Sequence, residues 1–97
     1  MKVNKIMCCC GSGLGSSLMV AMNAEDVLKK MGITGVQVSH TTLSEVQATD
    51  ADLFIVGNDL KELIKKRGVS EDHMIVLVNI VDKKELEEKL RAANIEH

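Results

Sequence analysis

The chain alternates short apolar runs with amphipathic segments, and this alternation constrains its fold more than any other feature. The apolar runs are Val3 to Cys9, Val36 to His40, Leu53 to Val56 and Met74 to Val78. In the segments between them, apolar residues recur at steps of three and four, the period of a helix with one buried face. Strands alternating with helices form right-handed βαβ units around a parallel sheet. We therefore expect an α/β protein.

With four strands, the expected architecture is a three-layer αβα sandwich whose parallel sheet has the flavodoxin/Rossmann-like order 2-1-3-4. This order places a topological switch between the first and third strands, and open α/β sheets bind ligands at the carboxyl ends of the strands beside the switch. Cys10, the Gly/Ser-rich segment after it and the turn at Gly57 should all lie at that edge. The sequence thus predicts the position of a ligand site.

The predicted helices have recognisable ends. Ser16 or Ser17 should cap the first helix, and Gly32 should end it. Asn58 or Asp59 should cap a short second helix, and Asp82 with Glu85 resembles a capping box before the third. The apolar positions expected on the helix faces are Leu18, Ala21, Ala24, Leu28 and Met31 in the first, Leu60, Leu63 and Ile64 in the second, and Leu86, Leu90 and Ala93 in the third.

Length and charge exclude several classes of protein. A chain of 97 residues accommodates one domain, expected to span residues 1–97. The formal net charge is -2 and Phe54 is the only aromatic residue, so neither the positive field nor the stacking platform of a nucleic-acid-binding protein is present. The apolar runs are far shorter than the ~20 residues of a membrane span, and no signal-peptide pattern precedes them. We expect a cytoplasmic protein.

The three cysteines are adjacent, at Cys8, Cys9 and Cys10. Neighbouring cysteines cannot close a useful disulfide loop, and the C-x-x-C spacing of zinc and redox sites is absent. Neither a metal nor a cofactor is expected. Cys8 and Cys9 lie within the first strand, where consecutive side chains face opposite sides, so both should be small apolar core residues. Cys10 ends the strand and is the candidate reactive thiol.

The segment after Cys10 has the composition of an anion-binding loop. Glycines stand at alternate positions, Gly11, Gly13 and Gly15, and leave backbone N–H groups free to converge on an oxyanion. The following helix adds the positive end of its dipole, and Ser12, Ser16 and Ser17 add hydroxyls. These amides should also stabilise the Cys10 thiolate. A nucleophile and a phosphate cradle would then share one loop.

Other glycine-rich loops fit the sequence less well. The third glycine of a Rossmann fingerprint is replaced by Ser16, and the G-K-[ST] of a Walker loop does not occur. A thiol phosphatase would need an arginine six residues after the cysteine, again at Ser16. No lysine or arginine lies between Cys10 and Val27. Because phosphoryl-transfer transition states are usually stabilised by cations, the loop is better suited to holding a phosphoryl group than to hydrolysing it.

The segment Cys10-Gly-Ser-Gly-Leu-Gly-Ser-Ser17, placed between a strand and a helix, resembles the enzyme IIB component of the sugar phosphotransferase system. It is most similar to the ascorbate-type branch, with the lactose and galactitol types as looser matches. The resemblance implies that Cys10 becomes the phosphocysteine, held by the loop residues Gly11, Ser12, Gly13, Leu14, Gly15, Ser16 and Ser17. It further implies that Cys10 accepts phosphate from a phosphohistidine of enzyme IIA.

By the same resemblance, the phosphoryl group passes to a sugar held by the membrane permease, enzyme IIC, which would keep this protein at the inner face of the membrane. His40, expected at the end of the second strand on the same edge, is a candidate accessory residue. Two alternatives remain at this point: a thiol phosphatase-like hydrolase, and a non-catalytic anion-binding module in which Cys10 has no role. Met19 and Met22 are expected to be core or boundary residues, with an adaptable apolar rim for docking enzyme IIA or IIC as the alternative.

Overall fold

Four parallel strands form one sheet in the computed structural model, which describes residues 2–9, 14–42, 44–93 and 95, with the backbone alone for 14–16. The strands are β1 (Lys5–Cys9), β2 (Gln37–Thr41), β3 (Leu53–Gly57) and β4 (Met74–Leu77). Their order across the sheet is β2-β1-β3-β4, and every neighbouring pair is parallel. The predicted α/β class and the strand order 2-1-3-4 are confirmed.

Three α-helices follow strands in the chain: α1 (Leu14–Lys30), α2 (Lys61–Lys66) and α3 (Lys83–Ala92). Short 3₁₀ turns precede α2 and β4. The predicted end of α1 is confirmed, because Gly32 has a φ of 77°, a left-handed conformation that favours glycine. No helix in the described part of the chain is both long enough and apolar enough to cross a membrane.

Two apolar cores cover the two faces of the sheet. On one face, α1 and α3 pack against each other and against the strands, and on the other face α2 and the segment around Val46 complete the core. Fully buried residues of the first core include Ile6, Ala24, Val27, Leu77, Leu86 and Leu90, and those of the second include Phe54, Val56 and Ile64. The αβα layering is therefore as predicted.

The buried face of α1 agrees with the prediction at Ala21, Ala24 and Leu28 but not at Leu18. Leu18 is 47% exposed, whereas Val20 and Val27 are buried. The three- and four-residue spacing is compatible with several rotations of the helix about its axis. Contact with β1, β2 and α3 selects the rotation that buries Val20, so the prediction that Leu18 is a core residue is wrong. Leu63, expected on the buried face of α2, is also exposed, at 43%.

Side chains also organise the ends and edges of the sheet. The carboxylate of Asp52, next to β3, accepts hydrogen bonds from the amides of Asn4 and Lys5 where β1 begins. At the outer edge, the Lys89 ammonium donates to the backbone carbonyl of Val76 in β4 and also contacts Glu85 at 2.8 Å. These contacts join strands to neighbouring elements without extending the sheet.

Candidate functional site

The carboxyl edge of the sheet is the position that the strand order marks for a ligand. From β1 the chain crosses to β2 on one side, and from β2 it returns to β3 on the other side of β1. The carboxyl ends of β1 and β3 therefore border the crevice at which open α/β sheets bind ligands. Cys9 is the last residue of β1 and pairs with Val56, one residue before the end of β3. Cys10 follows Cys9 directly in the chain.

The predicted phosphate-binding loop is only partly within the described residues. Cys10, Gly11, Ser12 and Gly13 lie outside them, and the backbone of Leu14, Gly15 and Ser16 belongs to the first turn of α1. Only four residues thus separate the end of β1 from the start of a helix, whose N-terminus lies at the carboxyl edge of the sheet. Partial positive charge at a helix N-terminus favours bound anions.

The expectation that Ser16 or Ser17 caps α1 is wrong, because the helix begins at Leu14 and already includes both serines. The side chain of Ser17 is completely buried and takes part in a contact with β2. Its hydroxyl lies 3.1 Å from Nδ1 of His40 and forms a hydrogen bond with it. Because the Ser17 hydroxyl bonds to a side chain of β2, it does not compete for the backbone groups of its own helix, and Ser17 can lie within the first turn.

His40 lies where the sequence predicted it, near the carboxyl end of β2. It is half-buried and stands opposite Cys8 in the register between β1 and β2. The structure therefore brings together two predicted site residues, Ser17 and His40, which are 23 positions apart in the chain. Both residues were predicted at this edge, but the hydrogen bond between them was not.

Cys8 and Cys9 are both fully buried, and they belong to different cores. Cys8 packs on the side of α1 and α3, and Cys9 packs on the side of α2. The prediction that they are apolar core residues on opposite faces of the sheet is confirmed.

The turn after β3 approaches the same edge. Gly57 is buried, and a Cβ atom added to it would lie 2.6 Å from Oδ1 of Asp59, so the Asp59 carboxylate folds closely over the Gly57 backbone. The expected helix cap at Asn58 or Asp59 is wrong: a 3₁₀ turn spans these residues, α2 starts at Lys61, and neither start has a side-chain cap hydrogen bond. Asp59 instead lies beside the crevice as an exposed carboxylate.

The turn between β4 and α3 forms the last part of the edge. Asp82 caps α3 as predicted, whereas the Glu85 carboxylate turns away from Asp82 and accepts hydrogen bonds from the amides of Val78 and Asn79. The hydrogen bond from Lys89, and then these two amides, lower the pKa of Glu85 to about 2. The predicted capping box is therefore only half formed, and its glutamate fixes the preceding turn instead.

Large apolar side chains are exposed at this edge. Leu18, Met19 and Met22 lie in the first half of α1, and Val78 and Val81 lie in the turn after β4. Met19 and Met22 are exposed rather than core residues, as the rim alternative expects, whereas the exposure of Leu18 and of the two valines was not predicted. No local pattern marks them, because the same residue types serve equally in a core. Within the described residues, no cluster of three or more His, Cys, Asp or Glu side chains could hold a metal ion.

Taken together, the parallel sheet, its switch point and the helix that starts just beyond β1 define an open α/β protein with an anion-favouring carboxyl edge. Comparison with known proteins gives the family. Residues 5–92 match the family model described as "PTS system, Lactose/Cellobiose specific IIB subunit". The chain belongs to this family of phosphotransferase-system IIB components, which act as phosphoryl carriers in sugar uptake.

Two curated relatives are described as mannitol-specific EIICB components of the phosphotransferase system. The protein of Halalkalibacterium halodurans is 33% identical over 75 residues, which is 77% of this chain and 16% of the relative. The protein of Staphylococcus saprophyticus subsp. saprophyticus is also 33% identical over 75 residues, 77% of this chain and 15% of the relative. The chain thus spans about one sixth of the length of these relatives.

Proposed function

We propose that Cys10 is the phosphoryl acceptor of this IIB component and that residues 1–97 act as one IIB-type domain. The position of Cys10 supports this proposal most strongly. Cys10 directly follows the end of β1 at the switch point, and α1 begins four residues after Cys10 with its N-terminus at the same edge. Neither neighbouring cysteine suits the role, because Cys8 and Cys9 are completely buried in the two cores.

The proposed reaction has two steps. The Cys10 thiolate attacks the phosphorus of a phosphohistidine on enzyme IIA, forming an S–P bond while the N–P bond breaks and the histidine nitrogen retains its electron pair. A sugar hydroxyl held by enzyme IIC then attacks the same phosphorus. An O–P bond forms, the S–P bond breaks, the hydroxyl proton passes to a base on the permease side, and the thiolate is regenerated.

Backbone groups supply the stabilisation in this proposal. The helix α1 contributes amides and the positive end of its dipole, and the loop Gly11 to Gly13 contributes further amides. No lysine or arginine lies between Cys10 and Val27. Neutral donors hold a phosphoryl group but stabilise additional transition-state charge less than a cation does, which favours a carrier over a hydrolase. The steps require no metal and no cofactor.

The test is to incubate the protein with phosphorylated enzyme IIA and to map the label. We expect an acid-sensitive phosphothiol on Cys10, absent in Cys10→Ser. Cys8→Ala and Cys9→Ala are the matched controls, because each removes a neighbouring thiol while Cys10 stays, and both should be labelled. Label on another residue, or normal sugar phosphorylation by Cys10→Ser, would overturn the proposal. Rapid turnover of an aryl phosphate without a stable phosphocysteine would indicate a thiol phosphatase instead.

For the sugar, the resemblance of the loop Cys10 to Ser17 favours an ascorbate-type substrate. The names of the family model and of the two relatives point instead to lactose or cellobiose and to mannitol. Uptake with the cognate permease should be measured for all of these sugars in parallel. We expect phosphorylation of ascorbate to depend on Cys10, and phosphorylation of lactose, cellobiose or mannitol alone would reassign the substrate.

The exposed apolar side chains support a docking role for the carboxyl edge. Leu18, Met19 and Met22 lie within three helical turns of the N-terminus of α1, next to the proposed phosphoryl group. We propose that enzymes IIA and IIC bind there in turn, with this protein in the cytoplasm at the inner face of the membrane. Met22→Lys should raise the KM for phosphorylated IIA. Leu63→Lys, at an exposed apolar position on α2, should leave it unchanged.

A further inference from the structure

One polar contact joins α1 to β2 at the proposed site. The Ser17 hydroxyl and Nδ1 of His40 are 3.1 Å apart, and Ser17 is completely buried whereas His40 is half-buried. Nδ1 is the ring nitrogen that faces the helix, and Nε2 is the one that Ser17 does not contact. Buried hydroxyl groups are nearly always hydrogen-bonded, so this contact is part of the packing between α1 and β2.

The register of the sheet explains why the two residues meet. His40 pairs with Cys8, and Cys8 packs into the core beneath α1 and α3. Paired residues of neighbouring parallel strands point to the same face, so the imidazole also points toward α1. Ser17 lies in the first turn of α1, where the helix passes over the carboxyl ends of the strands. The contact is thus made at the edge where the phosphoryl group is proposed to sit.

The buried apolar contacts between α1 and the sheet do not extend to Ser17. Among the side chains described in α1, the buried apolar ones begin at Val20 and continue through Ala21, Ala24, Val27 and Leu28, whereas Leu18 and Met19 are exposed. Ser17 is the buried side chain that precedes them. The first turn, whose amides matter most to a bound anion, is therefore held to the sheet by a hydrogen bond at Ser17.

We infer that His40 is a positioning residue for phosphoryl transfer. Through Nδ1 it holds Ser17, and with it the first turn of α1, against the end of β2, so that the helix amides face the phosphoryl group on Cys10. This inference rests on the proposed function, because it concerns the geometry of that same site. His40 acts through Ser17 and needs no contact with phosphate.

Two conservative substitutions separate this role from a direct one. An asparagine places a polar atom close to the position of Nδ1, whereas the longer glutamine places one close to Nε2. The rate of phosphoryl transfer from phosphorylated IIA to Cys10 should therefore stay within about twofold in His40→Asn. It should fall by about three- to tenfold in His40→Gln and in Ser17→Ala, the range expected for one net hydrogen bond. KM for the donor should not change.

A histidine at the opposite edge supplies the matched control. His73 precedes β4, and its Nδ1 also makes a 3.1 Å hydrogen bond, to the backbone oxygen of Asp52. His73→Gln should leave the transfer rate unchanged. A second readout is independent of phosphorylation: amide hydrogen exchange of residues 18–21 should be faster in His40→Gln and Ser17→Ala than in wild type and His40→Asn.

The outcomes are distinct. A normal rate in His40→Gln with a reduced rate in His40→Asn would assign a direct role to Nε2 and overturn the inference. Unchanged rates in both variants, or an equal loss in His73→Gln, would also overturn it. If wild-type protein carries no label on Cys10, the proposed function fails by itself, while hydrogen exchange still reports whether His40 holds the helix.

Discussion

The cap of α3 allows a quantitative prediction. Oδ1 of Asp82 accepts hydrogen bonds from the amides of Lys84 at 3.0 Å and Glu85 at 3.1 Å, so it satisfies two N–H groups that have no partner within the helix. Loss of such a cap costs about 0.5–2 kcal/mol, and loss of a negative charge at a helix N-terminus costs about 0.3–1 kcal/mol. Asp82→Ala should therefore lower the free energy of unfolding by about 1–3 kcal/mol.

Urea denaturation followed by circular dichroism measures this loss, and each kcal/mol should also lower Tm by about 4–8 °C in a domain of this size. Asp82→Asn keeps the acceptor and removes the charge, so it should lose only about 0.3–1 kcal/mol. Asp72→Ala is the control, because its exposed carboxylate makes no ion pair within the described residues. Equal midpoints for Asp82→Ala and Asp72→Ala, or equal losses for Ala and Asn at position 82, would refute the reasoning.

Three further predictions concern pH, close packing and the core. Because the pKa of Glu85 is lowered to about 2 from an ordinary 4.5, its stabilising contribution is complete above about pH 4.5 and is lost as pH falls toward 2. Unfolding free energies measured across that window should vary less in Glu85→Gln than in wild type and in the exposed-site control Glu88→Gln. Gly57→Ala should cost less than about 1 kcal/mol, because the atom that the added Cβ meets, Asp59 Oδ1, ends an exposed side chain that can rotate away; a larger loss that Asp59→Ala does not relieve in a double-mutant cycle would contradict this. Leu90→Ala, at a completely buried position, should cost about 2–5 kcal/mol in thermal or urea unfolding, and a cost below 1 kcal/mol would contradict the assigned core.

The parts of the fold that the sequence predicted correctly depend on local patterns. Strand positions and order follow from the alternation of apolar runs and helices, and the opposite burial of Cys8 and Cys9 follows from the two-residue period of a strand. The wrong predictions depend on neighbours in space. Leu18 is exposed because contacts with the sheet and α3 set the rotation of α1, and Ser17 does not cap the helix because the helix begins at Leu14 and the Ser17 hydroxyl bonds to His40 of β2.

The candidate site shows the same division. Chain order predicted that Ser17 and His40 would reach the carboxyl edge, but their hydrogen bond depends on the register between β1 and β2. Glu85 was predicted to return to the cap residue of its own helix. It bonds instead to amides six and seven residues earlier, because the turn after β4 brings those donors within reach. Such contacts are decided by the path of the chain between elements, which residue types alone do not specify.

The Lys89 hydrogen bond to Val76 has a consequence for the protein at high concentration. β4 is an outer strand, and the backbone groups along such a strand are a template on which another molecule can add a strand. The ammonium group occupies one of these carbonyls and places a positive charge beside it, while Glu85 holds the ammonium in position. An incoming strand would have to displace this pair before it could hydrogen-bond to β4. In the proposed exchange with enzymes IIA and IIC, β4 would therefore compete less for pairing with a second copy of this chain.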